Sequence, residues 1–218
     1  MSYWTIPEIW KGEACVILGG GPSLAQVDLK LVKQYKVIAV NDAYKLGQWD
    51  CCYFKDDNWY YQDAFKDHPE VGHNGEHLKR FNGLKITSCE GLIDEPDIKV
   101  LKRGRRNHLE LDREFITHCS NAGAEALALA IMLGSSMIVL AGFDMKPLNG
   151  KHNWHDNHLR QMNEETYKFQ FMDPFKTLAI GAKAHGVEII NCTIGSALGI
   201  FPIVPMEEVL NADRRMRA

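Results

Sequence analysis

Gly19-Gly20-Gly21-Pro22-Ser23 is the first run in this chain whose residue types suit a ligand site. A glycine run admits backbone angles closed to other residues and puts no side chain between its amides and a ligand. Pro22 suits the first turn of a helix, and Ser23 can accept a bond from a free backbone amide there. A strand ending in such a turn and helix start gathers N–H groups and a positive helix end at one point, which suits a phosphate. Two better-known nucleotide motifs are excluded. No Gly-Lys-Ser/Thr follows, and Leu24 stands where the dinucleotide pattern has its third glycine.

The second group is G-K-H-N-W-H-D-N-H, which sets His152, His155, Asp156 and His158 within seven positions. An imidazole titrates near neutral pH, so one of them can serve as general base toward a hydroxyl. Another can hold a phosphate through an N–H. A divalent metal with Asp144 or Asp156 is a further reading, although the spacing matches no zinc signature. A solvated loop is the plain alternative. Ser120, Asn121, Ala122 and Gly123 form another helix start, which either receives a phosphate or ribose or is simply a cap.

For these residues to meet, the elements around them must converge. Residues 15–18 read as a buried strand ending at the glycine turn, and 36–40 as a second strand ending at Asn41 and Asp42. A brief helical start at 23–27 and a short helix at 29–35 connect them. This succession opens a parallel sheet with right-handed connections. Further strands are expected at 51–54, 84–87, 98–101, 137–141 and 187–191, with helices at 120–133 and 173–185 and a final helical turn at 206–210. Asp144 then lies on the same rim as the glycine turn and Asn41, where open α/β sheets take their ligands. Residues 66–118 read as a less regular insertion, with His68, His73 and His77 in a surface connection and 103–112 as a mobile loop or lid. The expected fold is a single α/β domain over 1–218, mainly parallel, with helices on both faces.

The chain has 218 residues and a formal net charge of −3, which gives no global pull toward nucleic acid or anionic membrane. Lys102, Arg103, Arg105 and Arg106 make a local basic cluster. Six scattered cysteines without a C-x-x-C pair suit reduced thiols in a reducing compartment. No signal peptide and no run of roughly 20 apolar residues is present, so a cytoplasmic location is expected.

V-I-L-G-G-G-P-S-L at 16–24, V-I-A-V-N-D at 37–42 and the run from S-N-A-G-A-E to A-G-F-D-M at 120–145 together resemble one family of Rossmann-like transferases. Its branches are the sialyltransferases of bacterial surface glycans (glycosyltransferase family 42-like) and the DUF115 group, which includes archaeal 6-hydroxymethylpterin diphosphokinases. H-N-W-H at 152–155 and N-C-T-I-G-S-A-L-G-I-F-P at 191–202 are similar to phage-encoded members. The sialyltransferase resemblance implies a cytidine nucleotide-sugar held by Gly19, Gly20, Gly21, Ser23 and Asn41, with a further nucleotide contact at Ser120, Asn121 and Gly123. That branch usually carries Asn where this chain has Gly20. Its catalytic base is a histidine downstream of the Gly-x-Asp strand, for which His155 and then His152 are the candidates. The diphosphokinase branch implies ATP with Mg2+ at the same rim, held by Asp42 and Asp144.

The leading expectation is a nucleotide-dependent glycosyltransferase that moves a sugar to an acceptor hydroxyl. If the acceptor is phage DNA, the basic cluster at 102–106 contacts its backbone. The alternatives are an ATP- and magnesium-dependent diphosphotransferase and a non-catalytic module that sequesters a nucleotide. A homo-oligomer is a further expectation.

Overall fold

The computed structural model describes residues 2–157 and 162–217; His158 lies outside them. A seven-stranded sheet runs through it, built from β1 (Ala14–Leu18), β2 (Lys36–Val40), β3 (Cys51–Phe54), β4 (Leu84–Thr87), β5 (Ile98–Val100), β8 (Met137–Ala141) and β9 (Glu188–Asn191). Its order is β5-β4-β3-β2-β1-β8-β9, and neighbouring strands are parallel. The chain winds outward from β1 to β5 and then crosses back to place β8 on the other side of β1. The strand order therefore reverses between β1 and β8, the switch point at whose carboxyl ends open α/β sheets form their ligand crevice.

Both faces of the sheet are covered, which is why its strands are continuous apolar runs rather than alternating ones. Cys15, Ile17, Ile38, Val40 and Tyr53 face α3 (Ala122–Met132) and α4 (Asp173–Ala184). Val16, Leu18, Val37, Ala39 and Phe54 face Leu24, Tyr44, Trp59 and α5 (Met206–Arg217). Helix α3 is buried on nearly every side, and its alanines let it lie close to the sheet.

Several connections differ from expectation. Residues 22–26 form a 3-10 turn rather than an α-helix, and 29–35 are turns. The segment expected as a mobile loop begins inside a strand. Charged β6 (Lys102–Arg106) pairs in parallel with β7 (Phe115–His118) as a separate two-stranded sheet. The insertion also carries short helices α1 (Asp57–Tyr61) and α2 (Asn74–Leu78), and His73 accepts a bond from the Glu76 amide at the start of α2. A π-helical turn spans Thr166–Phe171, and α5 continues well past 210. Among the described residues no helix is long and apolar enough to cross a membrane.

Candidate functional site

The glycine turn sits in the crevice, but most of its amides are engaged. Gly19 N–H donates to Ala141 C=O and Gly21 N–H to Gly142 C=O, both at 2.8 Å. Ser23 N–H points at both carboxylate oxygens of Asp144 at 3.3 Å, and Ser23 Oγ donates to Oδ2 at 2.8 Å. The expected phosphate cradle over Ser23 is thus filled by the protein's own carboxylate. Burial raises the Asp144 pKa, against the opposing effect of its Ser23 bonds. The glycines at 19 and 21 are explained by packing. A Cβ at either would lie 2.6 Å from Gly142 O, and one at Gly21 would lie 2.0 Å from Asp144 Oδ2.

Gly20 differs from both neighbours. Among the described residues its N–H has no protein partner, and an added Cβ would meet only Asn153 Oδ1 at 3.4 Å. It is the one bare amide of the turn. Asn41, at the end of the adjacent strand β2, holds a left-handed backbone at φ 49°, and its Oδ1 is buried without a partner. Met145, just past Asp144, is left-handed as well at φ 52°. Non-glycine residues in that region store strain, which gathers at functional sites.

The loop after β8 folds back over the turn. Trp154 N–H donates to Gly20 C=O at 3.2 Å, and the Trp154 indole nitrogen is buried without a partner. The Trp154 ring stands edge-on to His155 at 4.9 Å. His155 Nδ1 accepts from Asn157 N–H at 3.1 Å, and its Nε2 lies 3.5 Å from Asp42 Oδ2. With both nitrogens engaged, His155 anchors the loop and presents no free lone pair to a hydroxyl. Asp42 also accepts from Trp59 Nε1 at 3.0 Å and from Lys45. His152 shares a hydrogen bond with Tyr167 Oη at 3.0 Å, the rings stacked 9° from parallel. Burial, with a smaller effect from Asp144, raises the Tyr167 pKa, so its phenol stays a donor at neutral pH. Asp156 is exposed.

The second helix start is a cap. Asn121 Oδ1 accepts from Gly123 N–H at 2.7 Å and Ala124 N–H at 3.3 Å, while Ser120 Oγ donates to Gln170 C=O. Gly123 is small because a Cβ there would meet Phe143 at 2.7 Å. Thr193 and Ser196 brace the Asp144 turn through Phe143 N–H and C=O. Asp42 and Asp144, the two residues expected to hold magnesium, are each hydrogen-bonded to separate protein donors.

Sequence reasoning passed over Tyr167 and the polar group around Glu125, although a lone carboxylate in an alanine-rich buried helix was a readable signal. A hollow of about 700 Å³ lies beside Lys30, Lys33 and Trp49, at the amino ends of β2 and β3. Its lining brings no unpartnered buried polar atom.

No protein-family model matches the chain, and no curated protein matches it. Among solved structures it is similar to the sialyltransferase CstII from Campylobacter jejuni in complex with cytidine-5'-monophosphate. That match has a TM-score of 0.56 and 18% identity, and covers 89% of this chain and 86% of that one. CstII in complex with a trisaccharide acceptor and CMP gives a TM-score of 0.54 at 17% identity, over 88% and 86% of the two chains. The monofunctional α-2,3-sialyltransferase Cst-I from the same organism gives 0.55 at 17%, over 94% and 96%. At these identities the likeness establishes the α/β Rossmann-like fold over most of the chain.

Proposed function

We propose that this chain is a glycosyltransferase that takes its sugar from a cytidine nucleotide-sugar bound in the crevice between β1 and β8. The observation that carries the reading is the bare Gly20 amide, with two unpartnered buried atoms, the acceptor Asn41 Oδ1 and the donor Trp154 Nε1, on the segments beside it. Buried polar groups without partners are rare in folded proteins, and a ligand that supplies both a donor and an acceptor satisfies them. A nucleoside does so through its ribose hydroxyls or its base edge. The CMP-bound structures of similar fold supply the choice of cytidine.

In this reading the leaving phosphate lies against Gly20 N–H, with the Nε2–H of His152 as a further donor, its tautomer fixed by the Tyr167 hydroxyl that donates to Nδ1. Donors fixed in advance around a departing phosphate lower the barrier without reorganising at the moment of reaction. His155 holds the loop that completes the site, through Asp42. Strand β6 presents the exposed cations Lys102 and Arg106 to a negatively charged acceptor, of which DNA is one.

The test is a thermal-shift series with CMP, UMP, AMP and GMP, alone and with magnesium, on the wild-type chain and on Asn41→Gly. Glycine keeps the left-handed backbone and removes only the side chain. A ligand at 100 times its Kd stabilises by about 2.7 kcal/mol, so wild type should gain several degrees with CMP, with no need of magnesium, and Asn41→Gly should lose that gain. ATP with magnesium completes the series, and a shift with that pair but none with CMP would contradict the proposal.

A further inference from the structure

The crevice accounts for a leaving phosphate but leaves the acceptor proton without a base, since His155 has both nitrogens engaged and His152, with the Tyr167 hydroxyl donating to its Nδ1, carries its proton on Nε2 and serves as a donor. A different imidazole stands on the same rim. Glu125, one turn into α3, is fully buried, and every group around its carboxylate comes from the carboxyl end of a strand or the segment just beyond it. Tyr53 Oη donates to Oε2 from β3, and Ser88 Oγ donates to it at 2.9 Å from just beyond β4. Cys119 N–H donates to Oε1 at 2.9 Å, and Lys55 Nζ lies 3.4 Å away. The remaining neighbour is His118, the last residue of β7. Its Nδ1 is buried 3.4 Å from Oε1, an ion-pair distance that falls short of a full hydrogen bond.

We infer that His118, oriented by the buried carboxylate of Glu125, is the base that takes the proton from the acceptor hydroxyl; this rests on the glycosyltransferase reading above. The carboxylate selects the tautomer with the proton on Nδ1, which leaves the lone pair on Nε2. The His118 side chain is 34% exposed while Nδ1 is buried, so its exposure falls on the opposite edge of the ring. Among the described residues that edge has no partner. Burial works to raise the Glu125 pKa, but His118, Lys55, the Cys119 amide and Tyr53 lower it further, so the group behind the imidazole is an anion at neutral pH. Loose contacts of this kind between catalytic groups tighten when substrate binds.

His118 is also connected to the crevice. Two residues on, Ser120 is bonded to Gln170, in the turn that carries Tyr167, and Tyr167 holds His152. In the step, the acceptor oxygen forms a bond to the anomeric carbon as its proton passes to His118 Nε2. The bond from that carbon to the phosphate oxygen breaks, and its electron pair leaves with CMP. Glu125 stabilises the imidazolium so formed.

The test uses the full chain and His118→Asn, with CMP binding followed by calorimetry and CMP release followed from CMP-N-acetylneuraminate. Loss of a general base costs roughly 100- to 10,000-fold. The variant should therefore bind CMP within about twofold of wild type and lose at least about 100-fold in kcat. Equal CMP binding with undiminished turnover would overturn the inference, whereas failure of the wild-type chain to bind CMP would overturn the nucleotide reading instead. Long-range 15N–1H NMR of the wild-type imidazole decides the orientation independently of turnover. The proton of neutral His118 should be on Nδ1, and finding it on Nε2 overturns the inference even where this donor gives no turnover.

Discussion

A methyl group at Gly21 would sit 2.0 Å from Asp144 Oδ2, whereas one at Gly20 meets only Asn153 Oδ1 at 3.4 Å. The two glycines therefore separate packing from binding. Gly21→Ala should cost about 1–3 kcal/mol, the usual penalty for forcing atoms into a filled site. Gly20→Ala should change stability by less than about 1 kcal/mol and yet abolish CMP binding, because its methyl stands in the ligand's path. Denaturant melts and calorimetry on both variants check this. The serine and glycines were visible as a phosphate-type turn in the sequence. Their true partner was not, since Asp144 lies 121 residues beyond Ser23 and no local pattern reports that the two meet.

Two elements carry polar groups whose removal should be felt in different ways. In α3, Glu125 is a buried anion with Lys55 beside it, and truncating one partner of such a pair typically costs about 3–5 kcal/mol. Glu125→Ala should show that loss in a melt at pH 7. The sign with pH follows from its lowered pKa. Its stabilisation is present above the ordinary carboxylate range and is lost as the pH falls through the lower folded value. Wild type should therefore weaken more than Glu125→Gln as the pH falls below the ordinary carboxylate range. The loop at 152–157 is tied down by His155 on Asp42 and by Asn157 Nδ2 on Ala64 C=O at 2.8 Å. His155→Ala should speed hydrogen exchange at the Trp154 amide while leaving strand β1 as protected as before.

At this scale the sequence was informative where both faces of a strand are buried, as in V-I-A-V and M-I-V-L-A. It misled where charge dominates. Lys102–Arg106 forms a strand despite four cations, because pairing with β7 fixes its backbone while its side chains remain in solvent. The start at Pro22 was read as helical, but only a 3-10 turn fits between the glycines and Val27.

Across the whole molecule, reversal of strand order between β1 and β8 places Gly20, Asn41, Asp144 and the 152–157 loop around one crevice. The β3, β4 and β7 ends bring Glu125 and His118 to the same rim. The proposed nucleotide lies against the Gly20 amide. The direct measurement is a 15N–1H correlation titration of the full chain with CMP. Saturable shifts are expected, largest at the Gly20 backbone amide, the Asn41 side chain and the Trp154 indole N–H. Shifts confined to the hollow beside Lys30 and Trp49, or none at all at millimolar CMP, would contradict it.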